Sequence, residues 1–159
     1  MNYEEYYSPE DQVKLRNHDL DMSVLEFAYP YKKILDVGAG AGVLASKLKN
    51  LGHDVTCIDV KRDYIKYLTR MGLKAILGDV RLGLPFKDKE FDLAICQEVL
   101  EHIENPGTGL QELCRVAKNV IFTLPKLHPD PWHLWDIQWK DHAGCITIKM
   151  MERQNAEHE

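Results

Sequence analysis

The sequence predicts an α/β fold in which a mostly parallel sheet carries helices on its faces. Short apolar runs rich in β-branched residues recur along the chain, as buried parallel strands require. Segments with helical spacing of their apolar residues separate these runs. A glycine-rich turn joins the first run to the helical segment that follows it. With 159 residues, the chain is long enough for one domain with a substantial core.

The first predicted elements are helical. Ser8 and Pro9 are typical of a helix start, because serine can cap the helix and proline suits its first turn. Apolar residues at helical spacing then predict one or two helices up to about residue 28. We therefore expect residues 1–30 to form a helical cap ahead of the sheet.

The first strand and the loop after it are the most informative part of the sequence. Ile34–Val37 has the pattern of a buried strand, and Gly38–Gly42 then removes nearly every side chain from a turn. Apolar spacing predicts a helix that begins at Val43 and ends at Gly52. The free N–H groups and the positive dipole end of this helix would face a ligand bound at the loop.

The spacing of the glycines argues against a dinucleotide as the ligand. A dinucleotide loop follows the pattern G-x-G-x-x-G. Here the third glycine comes one residue early, and Val43 takes its place. Asp36 would also put a negative charge beside a pyrophosphate. A carboxylate at this point suits a cofactor with a cationic portion better.

Two further strands end in acids. Asp54–Asp59 is predicted to be a strand whose last residue lies 19 positions beyond Gly40, where a carboxylate can accept both hydroxyl protons of a ribose. A helix is expected over residues 62–71, and a third short strand over 73–80 closes on Asp79. Either acid alone could equally be a solvated strand-end residue. Because the carboxyl ends of parallel strands share the ligand-binding edge, we expect both acids beside the glycine loop.

A fourth motif, Leu-Pro-Phe, Phe-Asp and Val-Leu-Glu-His in this order, lies in Leu84–Ile103. Together with Ile-Leu-Asp-Val-Gly-Ala-Gly and the two acids, it resembles the class I S-adenosylmethionine-dependent methyltransferases of the small-molecule type. The resemblance covers about residues 32–125. It implies a Rossmann-like, doubly wound sheet in the order 3-2-1-4-5. The sequence itself predicts a helix over 107–118 and a fifth strand over 119–124.

The resemblance also implies S-adenosylmethionine as the cofactor and gives the motif residues their roles. Asp36 would complement the cationic end of the cofactor. Asp59 would accept hydrogen bonds from its ribose, and Asp79 would accept one from its adenine amino group. Gln97 lines the cleft between the cofactor and the acceptor. The expected cofactor-binding residues are Asp36, Gly38, Ala39, Gly40, Asp59, Val60, Asp79, Val80 and Gln97. The implied reaction is in-line transfer of a methyl group to an unidentified acceptor.

One group of side chains leaves a metal site open as an alternative. Glu98, Glu101 and His102 would share a helix face, and small-RNA 2′-O-methyltransferases use a similar arrangement for a divalent cation. The same spacing suits ordinary helix packing, so no metal is expected. A general base is required only if the acceptor is protonated, and the sequence selects none. The candidates are His102, His128 and His133.

The C-terminal region departs from the seven-stranded sheet of the family. Residues 144–150 form the one convincing strand after 119–124, so about six strands are expected. A single domain would then comprise a core of 31–125 and a shortened substrate region of 126–159, and the altered sheet edge could support a homodimer. Three tryptophans at helical spacing predict either a core-facing stripe or an aromatic wall for the acceptor: Trp132, Trp135 and Trp139.

Composition restricts the partners. A net charge of −5 disfavours nucleic acid, because proteins that bind phosphate backbones present a basic surface. A solvated helix face accounts better for the basic residues within 61–70. No apolar run is long enough to span a membrane. The four cysteines lie far apart in the sequence, which predicts reduced thiols and a cytoplasmic protein.

The expected function is therefore methyl transfer from S-adenosylmethionine to a small-molecule or protein acceptor. Two alternatives stay open at this point. One is a non-catalytic module that binds S-adenosylmethionine, and the other is a metal-assisted RNA 2′-O-methyltransferase. An oxidoreductase that uses NAD is opposed by the glycine spacing.

Overall fold

The computed structural model describes residues 22–123, in which five strands alternate with helices. The elements follow in the order α1 (Met22–Ala28), β1 (Lys33–Val37), α2 (Val43–Asn50), β2 (Asp54–Asp59), α3 (Arg62–Arg70), β3 (Lys74–Leu77), β4 (Phe91–Gln97), a 3₁₀ helix (Leu100–His102), α4 (Pro106–Val116) and β5 (Ala117–Thr123).

The strands form one parallel sheet in the order β3-β2-β1-β4-β5, which confirms the predicted topology. β1 lies in the middle, where Ile34 is opposite Val55 of β2 and Leu93 of β4. The strand order reverses between β1 and β4. The carboxyl ends of these two strands are therefore the switch point at which open α/β sheets bind ligands.

Apolar layers cover both faces of the sheet. On one face, α1, α2 and α3 contribute the buried residues Ala28, Leu48 and Leu68 to one cluster. On the other face, α4 contributes Leu110 and Leu113, both fully buried. Burying a leucine side chain stabilises a fold by about 2 kcal/mol, so the two layers fix the strands that carry the site.

The Phe-Asp pair of the fourth motif has a structural role at the amino-terminal edge of the sheet. Phe91 is buried and meets the Phe86 ring edge to face, with 4.8 Å between ring centroids. Asp92 accepts the Lys33 N–H at 3.0 Å and the Lys118 Nζ at 2.9 Å, which ties β4 to β1 and β5. These hydrogen bonds, that from Lys118 foremost, lower the pKa of Asp92. This part of the motif therefore stabilises the fold, at the edge opposite the predicted site.

Arg115 of α4 fixes the Leu-Pro-Phe segment. Its guanidinium donates to the carbonyls of Leu84 and Phe86 at 3.0 and 2.8 Å. It also donates to both carboxylate oxygens of Glu112, at 2.7 and 2.8 Å. Glu112 in turn accepts the Leu84 N–H at 2.6 Å. A pair of opposite charges on one helix thus holds the loop that precedes β4.

The largest differences from the expected element boundaries are at the end of β3 and at the junction of α4 and β5. β3 ends at Leu77 rather than at residue 80, because the chain turns at Asp79, whose carboxylate accepts the Arg81 N–H at 2.9 Å. β5 begins at Ala117 rather than at residue 119. The helix before it stops at Val116, so the chain passes from helix to strand without a loop.

Some of the predictions concern residues outside 22–123. These are the helix start at Ser8 and Pro9, the sixth strand over 144–150, the tryptophan stripe and the shortened substrate region. They stay predictions, as do the single-domain division and the homodimer. In the described part of the chain, no helix has the length and apolar character needed to cross a membrane.

The expectation for the cysteines is only partly correct. Cys57 and Cys96 are buried free thiols, as predicted. Cys114 is disulfide-bonded, so the expectation that every cysteine is reduced is wrong. Two cysteines can bond when their Cα atoms lie within about 7 Å, whatever their separation in the sequence.

Candidate functional site

The glycine loop between β1 and α2 is anchored to the end of β2. The N–H groups of Gly38 and Ala39 both donate to the Ile58 carbonyl, at 2.8 and 3.0 Å. The φ angles of Gly38, Gly40 and Gly42 are 73°, 52° and 72°. A residue with a Cβ is strained in this left-handed region of positive φ, so the turn favours glycine at these three positions. The protein's own hydrogen bonds therefore set the shape of the loop.

Two of these glycines also permit close packing. A Cβ at Gly38 would lie 2.2 Å from Val99 Cγ2, and a Cβ at Gly42 would lie 2.3 Å from Leu68 Cδ2. Val99 follows β4, so the segment after β4 lies directly against the glycine loop. Leu68 belongs to α3, so Gly42 serves the packing of α3 against the start of α2.

Asp59 ends β2 and connects the loop to that strand. Its Oδ2 accepts the Gly40 N–H and its Oδ1 accepts the Lys61 N–H, both at 2.9 Å. The residue is only 7% exposed. A carboxylate has about four lone-pair positions, and these two backbone hydrogen bonds use one on each oxygen. The second position on each oxygen suits the neighbouring hydroxyl groups of a ribose.

Asp36 makes the same edge electronegative. It is 3% exposed, on β1, and its register partners are Cys57 on β2 and Ile95 on β4. Burial raises the pKa of the Cys57 thiol, and the negative charges of Asp36 and Asp59 raise it further. Two carboxylates thus act on one buried thiol. An edge of this charge favours a ligand that carries cationic groups.

Asp79 lies just beyond β3 and is bound by an arginine. The Gly78 N–H donates to the Asp59 carbonyl at 3.1 Å, which ties the end of β3 to that of β2. Oδ1 of Asp79 accepts both the backbone N–H and the Nε of Arg81 at 2.9 Å. Oδ2 accepts the Arg81 Nη2 at 2.5 Å. The side-chain hydrogen bond from Arg81 is the main cause that lowers the pKa of Asp79.

The two valines that follow these acids have opposite environments. Val60 is 59% exposed beside the buried Asp59, so it presents apolar surface at the site. Val80 is 5% exposed and packs in the core, where its Cγ1 lies near Gly109. An aromatic ring could therefore lie on the Val60 side chain but not on that of Val80. The expected contact of Val80 with the cofactor stays a prediction.

The segment after β4 brings a strained residue to the same edge. Glu98 has a φ of 55°, which is uncommon for a residue with a side chain. Its N–H donates to the Thr123 carbonyl at 3.2 Å, and the Thr123 hydroxyl donates to the Glu98 Oε1 at 3.1 Å. These bonds join the ends of β4 and β5 and fix Glu98 next to Gln97. Strain of this kind persists where neighbouring contacts enforce it, and it is common at functional sites.

The helix face expected for Glu98, Glu101 and His102 is wrong. A positive φ at Glu98 interrupts a right-handed helix, and only a short 3₁₀ helix follows, ending at His102. The Glu101 side chain is 3% exposed, and its Oε1 lies 3.8 Å from the His102 Nε2. Among residues 22–123, no three His, Cys, Asp or Glu side chains are grouped so that they could hold a metal ion. His128 and His133 lie outside that range.

The carboxyl ends of neighbouring strands bring the predicted residues to one edge. Asp36 and the glycine loop belong to β1, Asp59 to β2, and Gln97 ends β4. Arg81 and Thr123 contact this edge and were missed as site residues. An aspartate whose carboxylate can accept the N–H two residues further on is a signal for a local turn and could have drawn attention to Arg81. The contact of the Thr123 hydroxyl with Glu98 depends on the left-handed turn after β4, which the sequence does not show.

These side chains and backbone groups fit an adenosyl cofactor that carries positive charge. The loop offers backbone without side chains, and Asp59 offers two acceptor positions for a diol. Val60 offers apolar surface for a ring, and Asp36 adds negative charge. Which of the predicted residues contact the cofactor stays a prediction.

The chain belongs to the methyltransferase domain family, whose model matches residues 35–120. This range holds the glycine loop, the three acids and the segment after β4. The resemblance to the class I S-adenosylmethionine-dependent methyltransferases is thereby confirmed, and S-adenosylmethionine is the cofactor of that class.

Individual relatives agree with the family. The ubiquinone biosynthesis O-methyltransferase of Rickettsia bellii is 36% identical over 109 residues, which are 66% of this chain and 42% of that protein. The chain spans about two fifths of the length of the curated relatives it matches.

Two solved structures share the fold. A protein from Pyrococcus horikoshii has a TM-score of 0.60 and 26% identity, with 66% of this chain and 53% of that one covered. A SAM-dependent methyltransferase from Aquifex aeolicus has a TM-score of 0.61 and 23% identity, with 87% and 89% covered.

Proposed function

We propose that this protein transfers a methyl group from S-adenosylmethionine to an oxygen atom of an acceptor. The observation that carries the proposal is the hydrogen bond from the Gly40 N–H to the Asp59 carboxylate. It joins the side-chain-free loop to the acid that would bind a ribose. The O-methyltransferase name of the Rickettsia bellii relative supports oxygen as the acceptor atom.

The chain would hold the cofactor at several points along one sheet edge. Asp59 would accept the ribose hydroxyls, and Val60 would contact the purine ring. Asp79 would accept the purine amino group. Asp36 would favour the cationic amino-acid end, and the loop at Gly38 would let that end approach the backbone. When bound, the cofactor supplies a methyl group on a sulfonium, which is a very good leaving group.

The remaining task of the protein is to align the acceptor and exclude water. Val99 packs against the glycine loop, so the segment after β4 borders the cofactor edge. Gln97, which ends β4, and Glu98, which follows it, are polar and half-buried. Because Thr123 fixes the Glu98 carboxylate, that group can orient a hydroxyl of the acceptor without reorganising.

An alcohol or phenol must lose its proton when its oxygen is methylated. His102 follows the strained turn, and its Nε2 lies 3.8 Å from the Glu101 carboxylate, which is buried. A carboxylate neighbour stabilises the imidazolium that forms when histidine accepts a proton. Within this proposal, His102 is the general base.

A thermal melt tests the cofactor. Saturation with a ligand at 100 times its dissociation constant stabilises a protein by about 2.7 kcal/mol, which shifts the Tm of a domain of this size by several degrees. We expect S-adenosylmethionine and S-adenosylhomocysteine to raise the Tm and NAD to leave it unchanged. The shift should disappear in Asp59→Ala. A shift with NAD alone, or none with the adenosyl ligands, would contradict the proposal.

Transfer of a labelled methyl group tests the acceptor. The probes are simple phenols, including hydroquinone, and the corresponding anilines. We expect label in the phenols and not in the anilines, and His102→Ala should lower the rate by about 10²-fold or more. Binding of S-adenosylhomocysteine without transfer to any probe would instead indicate a non-catalytic module.

A further inference from the structure

Arg81 saturates the carboxylate that is predicted to bind adenine. Its backbone N–H and Nε donate to Oδ1 of Asp79, and its Nε and Nη2 donate to Oδ2. All the hydrogen bonds that Arg81 makes within residues 22–123 go to Asp79. The fork geometry occupies both oxygens from one side.

The partners differ in how far they can move. The Asp79 side chain is 17% exposed, and its carboxylate is held by the Arg81 backbone N–H. The Arg81 side chain is 54% exposed, so its guanidinium can turn into solvent and regain water as a partner. A ligand that donates to Asp79 would therefore displace the guanidinium rather than the carboxylate.

We propose that Arg81 competes with the purine amino group of the ligand for Asp79 and thereby sets the affinity and the purine selectivity of the site. This inference rests on the proposed function, because it takes an adenosyl group as the ligand. An adenine offers an amino donor at the position where a hypoxanthine offers a carbonyl acceptor. The free carboxylate favours the donor, whereas the guanidinium favours the acceptor.

The size of the effect follows from the exposure of the pair. Exposed ion pairs contribute about 0.2 to 1 kcal/mol, which corresponds to a change of up to about fivefold in an equilibrium constant. Salt weakens such a pair by screening. Removal of the Arg81 fork should therefore strengthen the binding of an adenine ligand by about two- to fivefold.

The test is calorimetric titration with S-adenosylhomocysteine and with its hypoxanthine analogue, S-inosylhomocysteine. The variant Arg81→Gln removes the charge and the fork, and Arg81→Lys keeps the charge without the fork. Arg70→Gln is the matched control, because Arg70 is exposed on α3 and, within the described residues, its Nε donates to a helix carbonyl at 3.4 Å and not to an acid. Each protein is titrated at low and at high ionic strength.

Arg81→Gln should bind S-adenosylhomocysteine about two- to fivefold more tightly at low salt and discriminate more strongly against the hypoxanthine analogue. Arg81→Lys should be intermediate, and Arg70→Gln should match the wild type. The wild-type affinity should rise with salt towards that of Arg81→Gln. Equal or weaker binding by Arg81→Gln, with unchanged discrimination, would overturn the inference and leave the cofactor intact. If no variant binds either ligand, the proposed function and this inference are both wrong.

Discussion

The carboxylate of Asp59 holds the N–H of Gly40 at 2.9 Å, so the acid at the end of β2 supports the loop that follows β1. The carbonyl of Ile58, one residue earlier, accepts two further N–H groups of the same loop. The predicted ligand-binding groups of two strands therefore form one hydrogen-bonded unit. A change at Asp59 should disturb the loop as well as the predicted ribose contact.

Asp59→Asn should weaken the binding of S-adenosylhomocysteine by at least about tenfold, because a hydrogen bond to a charged group contributes about 1.5 to 3 kcal/mol. Asparagine replaces one acceptor oxygen with an NH₂ donor. This donor would face a backbone N–H of the protein or a ribose hydroxyl that needs an acceptor. Calorimetric titration measures the change. The control is Asp54→Asn at the other end of β2, where Asp54 is paired with Lys74. Equal losses in the two variants would show that the effect is not local to the site.

Gly38→Ala should destabilise the protein more than Gly72→Ala. The φ angles are 73° and 72°, so both variants bear the cost of a left-handed alanine, about 1 kcal/mol. At Gly38 the new Cβ also meets Val99 Cγ2 at 2.2 Å, whereas at Gly72 the nearest atom is the Lys49 Nζ at 3.6 Å, an ordinary contact distance.

Overpacking against a β-branched side chain should add about 1 to 3 kcal/mol at Gly38. Urea unfolding of both variants gives the difference directly. If the two free energies of unfolding fall equally, the contact with Val99 relaxes without cost.

The contribution of Glu112 should depend on pH. The hydrogen bond from the Arg115 side chain is the main cause that lowers the pKa of Glu112 from 4.5. A carboxylate whose pKa is lowered by folding stabilises the fold above its unfolded pKa, and this contribution is lost as the pH falls through the folded pKa. Glu112→Gln should therefore lower the free energy of unfolding by about 1.5 kcal/mol near neutral pH. The difference from the wild type should shrink towards zero in acid, as measured by urea unfolding at several pH values.

Cys57 and Cys96 should resist alkylation in the folded protein. Burial raises the pKa of both thiols, and nearby carboxylates raise it further. Because the thiolate is the reactive form, neither should react with iodoacetamide at mildly alkaline pH until denaturant is added. Mass spectrometry of the labelled peptides reports each site. Rapid native labelling of Cys57 would show that the sheet edge beside Asp36 opens.

Thr123→Val should separate turnover from cofactor binding. The change keeps the shape of the side chain but removes the hydroxyl that donates to the Glu98 Oε1. We expect a loss of about 1 kcal/mol in stability and a clear fall in methyl transfer, with an unchanged affinity for S-adenosylhomocysteine. Val120→Ala, a cavity in the same strand, controls for stability alone. If turnover falls equally in Thr123→Val and Val120→Ala, Glu98 does not position the acceptor.

The predictable parts of the molecule are those that depend on local chemistry. Runs such as Ile34–Val37 reveal buried strands, and their order in the sheet follows from the family resemblance. The glycine loop is predictable because only glycine accepts its φ angles without strain. The acids at strand ends are visible because charged residues are rare within buried strands.

The predictions that were wrong concern features that depend on contacts between residues distant in the sequence. Val-Leu-Glu-His has helical spacing and no glycine, so nothing local indicates the left-handed turn at Glu98. Thr123, 25 positions away, enforces that turn across the β4–β5 pair. The spacing of the cysteines likewise gives no signal for the disulfide at Cys114.

The ends of β1, β2 and β3 lie side by side, and neighbouring strands in a sheet are about 4.8 Å apart. Across the sheet, β1 and β3 are therefore about 10 Å apart, with β2 and Asp59 between them. Asp36 is level with Cys57 and Ala75, so Asp79, four residues beyond Ala75, lies further from Asp36 than this spacing. The separation of the two outer acids therefore limits the length of ligand that can contact both. A molecule shorter than a nucleoside with its attached side arm can reach one outer acid or the other, but it cannot touch both at once.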